Sequence, residues 1–221
     1  MRASLVTRLL ILLLCMTSLL PSLKAQEKTD GWLEELLHHH ASPLLKNVLN
    51  KPDTFQYQVI YTSIDRDVKN QPHFKNYYLN VNRNRYFNPA STVKLPTNCS
   101  FFIKRIGYDT TEFFDGFTKF FLFRAAKSKV PSHIKYYNKP GWSYGFLTDA
   151  AYIVDLKNKV EFMLSAVIYV NSDGVLNDDK YEYEQIGYPF FKEVGEIIYE
   201  YELKRDRKYK PIFEVLRPAA F

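Results

Sequence analysis

Ser91 and Lys94 stand three residues apart in the run from Tyr86 to Pro96, YFNPASTVKLP. On a helix, positions i and i+3 share a face, so the lysine amine comes within hydrogen-bonding reach of the serine hydroxyl. A hydroxyl alone is a poor nucleophile, but an amine that burial has robbed of proton affinity can act as its general base. The pair is therefore a candidate nucleophile and base. A bare Ser-x-x-Lys also arises often by chance, so its weight depends on the elements around it. Asn88-Pro89-Ala90 supplies a turn and a break before a helix, because proline drives the preceding residue into an extended conformation.

Those elements follow from apolar spacing. Between Gly31 and Asn50, Trp32, Leu33, Leu36, Leu37, Leu44, Leu45, Val48 and Leu49 recur at helical intervals, interrupted by Ser42-Pro43 as N-cap and first-turn proline. This predicts helices over 31–41 and 43–50. His38-His39-His40 lies in the first of them, and three consecutive side chains diverge around a helix too widely to share one metal. Phe55, Tyr57, Val59 and Tyr61 alternate with Gln56, Gln58, Ile60 and Thr62, a half-buried strand, and a loop from Asp65 to Pro72 leads to a second strand at 74–81. After Lys94, Phe101-Phe102-Ile103 and then Phe113, Phe114, Phe117, Phe120, Phe121 and Leu122 predict helix with a buried phenylalanine face. Strands are expected at Ala150–Asp155 and Val160–Val170, the second central because it is almost continuously apolar. Ile186, Phe190, Val194, Ile197, Ile198 and Tyr201 mark a closing amphipathic helix, with Lys204, Arg205 and Arg207 at its negative end.

A second informative stretch is Asn138-Lys139-Pro140-Gly141-Trp142-Ser143-Tyr144-Gly145. Taken by itself, Lys-Pro-Gly reads as a surface turn. Together with Pro-Ala-Ser-Thr-Val-Lys upstream, it resembles the penicillin-recognising serine hydrolases, and among them the class A β-lactamase-like proteins. In that resemblance Ser91 is the nucleophile and Lys94 its base. The stretch at 139–141 corresponds to the family's Lys-Thr-Gly triplet on the strand beside the active site. Lys139 would attract a substrate carboxylate, Gly141 would let the ligand approach the backbone, and the backbone of Trp142 would help form an oxyanion hole. Pro140 departs from the pattern, since it lacks the threonine hydroxyl and a backbone donor and is tolerable only on an edge strand. The resemblance implies a small-molecule β-lactam or cell-wall peptide substrate and no metal or organic cofactor. It also implies an α+β fold, an α/β sandwich whose antiparallel sheet is covered by N- and C-terminal helices.

The family's active members carry a helical subdomain between the two motifs, whereas only 44 residues lie between Lys94 and Lys139. A layer of several helices needs on the order of a hundred residues. The chain is therefore read as internally shortened, between about 95 and 110, with that subdomain largely missing. The Ser-Asp-Asn element and the deacylating glutamate of class A enzymes belong to the missing block. Slow or absent deacylation is expected, and a catalytically inactive periplasmic remnant serving as a binding or structural module is the alternative.

The 221 residues, 46% hydrophobic and 16% aromatic, are enough for one sizeable core. Residues 1–25 have the layout of a secretory signal: Arg2 and Arg8, the apolar run Leu9 to Leu20, then Pro21 to Ala25. A lipoprotein signal using Cys15 is disfavoured by Leu13 and Leu14 before it. This predicts a periplasmic or secreted domain over 26–221, with no membrane attachment after cleavage. The formal charge of +6 includes three cations of that segment, leaving +3 on a chain whose basic and acidic residues are interleaved, which argues against nucleic acid as a partner. Beyond the signal only Cys99 remains, excluding an intramolecular disulfide and a multi-cysteine zinc site.

Overall fold

The computed structural model describes residues 28–94 and 114–213, apart from the side chains of Val93 and Lys94. The predicted signal segment and the predicted internal shortening lie outside the described residues.

Two helices open the described chain, α1 (Gly31–His40) and α2 (Pro43–Leu49), within a residue or so of expectation. Leu33 and Leu37 form the buried stripe of α1, one helical turn apart. The Ser42 hydroxyl accepts from the Leu45 amide at 3.2 Å, and Pro43 occupies the first turn, where its missing N–H costs nothing. A single turn, α3 (Pro52–Phe55), then brings the chain to Gln56 at φ 45. That turn takes up Phe55 and Gln56, so strand β1 (Gln58–Arg66) begins later than its alternation suggested. The hairpin to β2 (Pro72–Leu79) closes on the Asp67 carboxylate, which accepts from the amides of Lys69 at 2.8 Å and Gln71 at 2.9 Å.

The remaining strands are β3 (Ile134–Ser143), β4 (Phe146–Asp155) and β5 (Val160–Tyr169). All neighbours are antiparallel in the order β2-β1-β5-β4-β3, so β5 is central as its apolar run predicted and β3 is an edge. Lys139-Pro140-Gly141 lies within β3, not in a surface turn, and the edge position accommodates Pro140. The turn falls instead at Tyr144 and Gly145, both at positive φ, 50° and 88°, as a two-residue hairpin loop matched to strand twist requires.

Register divides the sheet into two unlike faces. Val59 and Tyr61 on β1, Phe162, Leu164 and Ile168 on β5, and Leu147 and Ile153 on β4 all point to one face and are buried there. Helices α1, α2 and α4 (Tyr188–Lys204) cover it, α4 through Phe190, Phe191, Val194 and Ile198. The other face carries Thr62, Met163, Tyr152 and Tyr137 in register, with Met163 36% and Tyr137 50% exposed. The molecule is thus an α+β structure with its main apolar layer on one side of an antiparallel sheet.

One expectation needs correction and one is extended. The phenylalanine-rich stretch is not a regular helix where it is described: residues 115–118 form turns, and Phe120–Arg124 is a single π-type turn broken by Leu122 at φ 81. Phe120 to Phe123 are nonetheless buried, because the irregular turn lets successive rings enter the core against α4, which a one-faced helix could not do. Second, Arg205 and Arg207 do more than complement the dipole of α4. Both pair with Glu202, which is fully buried at 0% exposure.

Candidate functional site

The candidate nucleophile lies on a short 3₁₀ turn, Ala90–Lys94, rather than at the start of an α-helix. The Asn88 side chain accepts from the Ala90 amide at 2.9 Å, and the Thr92 amide donates to the Pro89 carbonyl at 2.9 Å, so the Asn-Pro pair folds the chain into this turn. Ala90 has φ 46, a left-handed conformation that costs a non-glycine residue energy and so has to be held by its surroundings. Three residues per turn stack positions 91 and 94 on one side of a 3₁₀ helix. The Lys94 side chain lies outside the description. Ser91 is half-buried.

What holds the turn is β3. A Cβ placed on Gly141 would come within 2.7 Å of the Pro89 carbonyl oxygen, 2.7 Å of Thr92 Oγ1 and 3.0 Å of Thr148 Oγ1. Only a residue without a side chain admits backbone at that separation. The Thr92 hydroxyl is hydrogen-bonded to that of Thr148, the β4 partner of Gly141. The two sequence motifs are therefore in contact, on the sheet face opposite α4. Lys139, two residues before Gly141, belongs to the same face, and its amine donates to the Pro140 carbonyl at 3.3 Å. Trp142 faces the other way, with its ring centroid 5.9 Å from that of Phe120 and 6.4 Å from that of Phe117. Of the predicted residues, Ser91, Lys139 and Gly141 are gathered on one face of the edge strand. For Trp142 only its backbone belongs with them.

Beneath that strand, on the α4 side, lies a group the sequence reading missed. Asp149 is 1% exposed and accepts from three neighbours: Asn138 Nδ2 at 2.9 and 3.1 Å, the Tyr136 hydroxyl at 3.1 Å and the Phe120 amide at 3.3 Å. Burial pushes its carboxyl up to about 7, against the pull of these hydrogen bonds toward the ionised form. The network fixes the 114–120 segment to β3, since Asn138 Nδ2 also donates to the Thr118 carbonyl at 2.6 Å and the Phe121 amide donates to the Tyr136 hydroxyl at 3.1 Å. Lys119 in that segment has its amine held below the usual lysine range by burial. The signal available in the sequence was one aspartate at a core-facing position of FLTDAAYIV.

Where β3 ends, an open cleft of about 470 Å³ is lined by Phe117, Trp142, Ser143, Tyr144, Tyr183 and Tyr188, among others. Arg124 forms part of its wall, stacked over the Phe117 ring at 3.8 Å and the Tyr188 ring at 4.5 Å and paired with Glu184 at 3.1 Å. Among the described residues there is no cluster of metal-ligating side chains, and no helix is long and apolar enough to cross a membrane.

No protein-family model matches this chain, and neither a curated protein nor a solved structure does.

Proposed function

We propose that the protein is a secreted β-lactamase-like serine hydrolase that forms an acyl-enzyme on a β-lactam or a related amide carbonyl. Ser91 attacks the carbonyl carbon, and Lys94 accepts the hydroxyl proton and returns it to the amide nitrogen as the C–N bond breaks, leaving an ester on Ser91. Lys139 draws the substrate carboxylate to the β3 edge. An edge strand leaves alternate N–H and C=O groups unpaired, and a substrate amide can align along them. The observation that carries this reading is the close seating of the Ser91 turn on Gly141, which joins two motifs distant in sequence on one face of an edge strand. The strained Ala90 immediately before the nucleophile supports it, since such conformations cluster at functional sites.

A second reading, a catalytically inactive periplasmic module, is favoured by Pro140, which offers no hydroxyl to a substrate carboxylate, and by the 44-residue interval between Lys94 and Lys139. Intact mass after incubation with a penicillin separates the two. A covalent adduct on the parent that is absent from Ser91→Ala supports acylation. A folded parent that forms no adduct rejects it in favour of the inactive module.

A further inference from the structure

We infer that the cleft beyond β3 is a binding site for a neutral aromatic ring, and that the substrate reacting at Ser91 carries such a ring. The second half of this inference rests on the acylation reading above; the first does not.

Three observations converge. The volume of about 470 Å³ falls within the range of small-molecule sites, and the walls are predominantly aromatic. Trp142 and Tyr144 are each 43% exposed, so ring surface is presented to a ligand rather than consumed by the core. Two of the four tyrosine hydroxyls in the wall accept from backbone amides, Tyr183 Oη from Gly145 at 2.8 Å and Tyr181 Oη from Asn177 at 2.7 Å, and each keeps its own proton to donate. These bonds fix the rings and leave their faces and edges as the recognition surface.

Charge excludes the commonest alternative. The cation in the wall, Arg124, is 12% exposed and already paired with Glu184, while Asp179 on the rim is exposed and negative. A carboxylate or phosphate would find no spare positive charge here. The cleft reaches the candidate site through Ser143, whose Oγ is 3.5 Å from Asn88 Nδ2 in the segment that leads to Ser91, whereas Trp142 lines it from the opposite side of β3. Two strand residues span about 7 Å. A ring four or five bonds removed from a carbonyl held at Ser91 covers that distance.

The test has two arms. In a Trp32→Phe, Ser91→Ala protein, Trp142 remains as the sole tryptophan, and its fluorescence is titrated with phenylacetamide, acetamide and N-acetylglucosamine. A saturable change with phenylacetamide only, weakened about threefold to tenfold by Tyr144→Asn, is expected. Asparagine tolerates the positive φ of that turn, so the variant removes the ring without straining the hairpin. No response to phenylacetamide, or an equal response to the sugar, overturns the aromatic site. In the second arm, adduct formation on Ser91 is timed with two penicillins differing only in a phenylacetyl or an acetyl side chain. Faster acylation by the first, lost in Tyr144→Asn, is expected; equal rates overturn the role of the cleft in substrate choice. Absence of adducts with both rejects the acylation reading, and with it the assignment of the ring to a Ser91 substrate, while the cleft is judged on fluorescence.

Discussion

Thr92 and Thr148, far apart in the chain, share a hydrogen bond between their hydroxyls across the surface of β4. Thr148 Oγ1 also lies 3.4 Å from the Gly141 carbonyl oxygen, to which it donates. Either hydroxyl can supply the proton of the bond between them. The pair of bonds links the Ser91 turn to β4 and β4 back to β3. It holds the turn, through Thr92, at a fixed position over the edge strand.

Gly141→Ala should break that arrangement. The new methyl would sit 2.7 Å from both Pro89 O and Thr92 Oγ1, and the first is backbone that cannot rotate aside. We expect a loss of stability of about 1–3 kcal/mol in urea unfolding and a loss of adduct formation at Ser91 larger than that of Thr148→Val. The valine removes one hydroxyl but adds no bulk, and should cost about 1 kcal/mol. Equal stability of Gly141→Ala and parent would mean the turn is not seated as described.

Asp149 should give the fold a measurable pH dependence. Its carboxyl titrates at about 7 in the folded protein against 3.8 as its ordinary value. Between those values the folded state binds more protons than the unfolded one, so this group makes stability fall as pH rises from about 4 to about 7. Asp149→Asn should remove that slope, leaving a parent-minus-variant difference that changes by on the order of a few kcal/mol between pH 4 and pH 8. The amide meets the same donors as the carboxylate, so a constant offset is expected as well; the slope is the readout. Parallel curves across the interval would show that Asp149 does not titrate there.

Glu202 anchors the end of α4. It accepts from the Tyr61 hydroxyl and pairs with Arg205 and Arg207, whose side chains are 12% and 7% exposed. Burial raises its pKa, and the two guanidiniums pull in the opposite direction. Glu202→Ala leaves two cations with reduced compensation, and we expect a cost of about 3–5 kcal/mol in chemical denaturation. Arg205 keeps Asp65 at 2.6 Å, so Arg207 should account for most of the loss. A cost below about 1 kcal/mol, the range of exposed ion pairs, would contradict this arrangement.

The sequence by itself determined the elements whose signals are local. Leucine spacing and the Ser42-Pro43 cap set the opening helices, alternation set the β1–β2 hairpin, and the apolar run of β5 placed it at the centre. These are properties of periodicity and of single residues, legible without knowing what lies opposite. The spacing of Ser91 and Lys94 was equally local, and Ser91 and Gly141 could be named from it and from the second motif. Only the tertiary structure decided the rest. It closed the Ser91 turn onto Gly141 in the strand expected at 139–141, because long-range pairing outweighs the turn preference of proline and glycine. It turned the phenylalanine run into an irregular loop, because packing against α4 and hydrogen bonding to Asp149 and Tyr136 outweigh a weak helical period. Burial of Asp149 and Glu202, and the gathering of aromatic rings from the 117–124 segment, β3 and the start of α4 into one cleft, depend on which residues meet across the fold. No spacing along the chain encodes that.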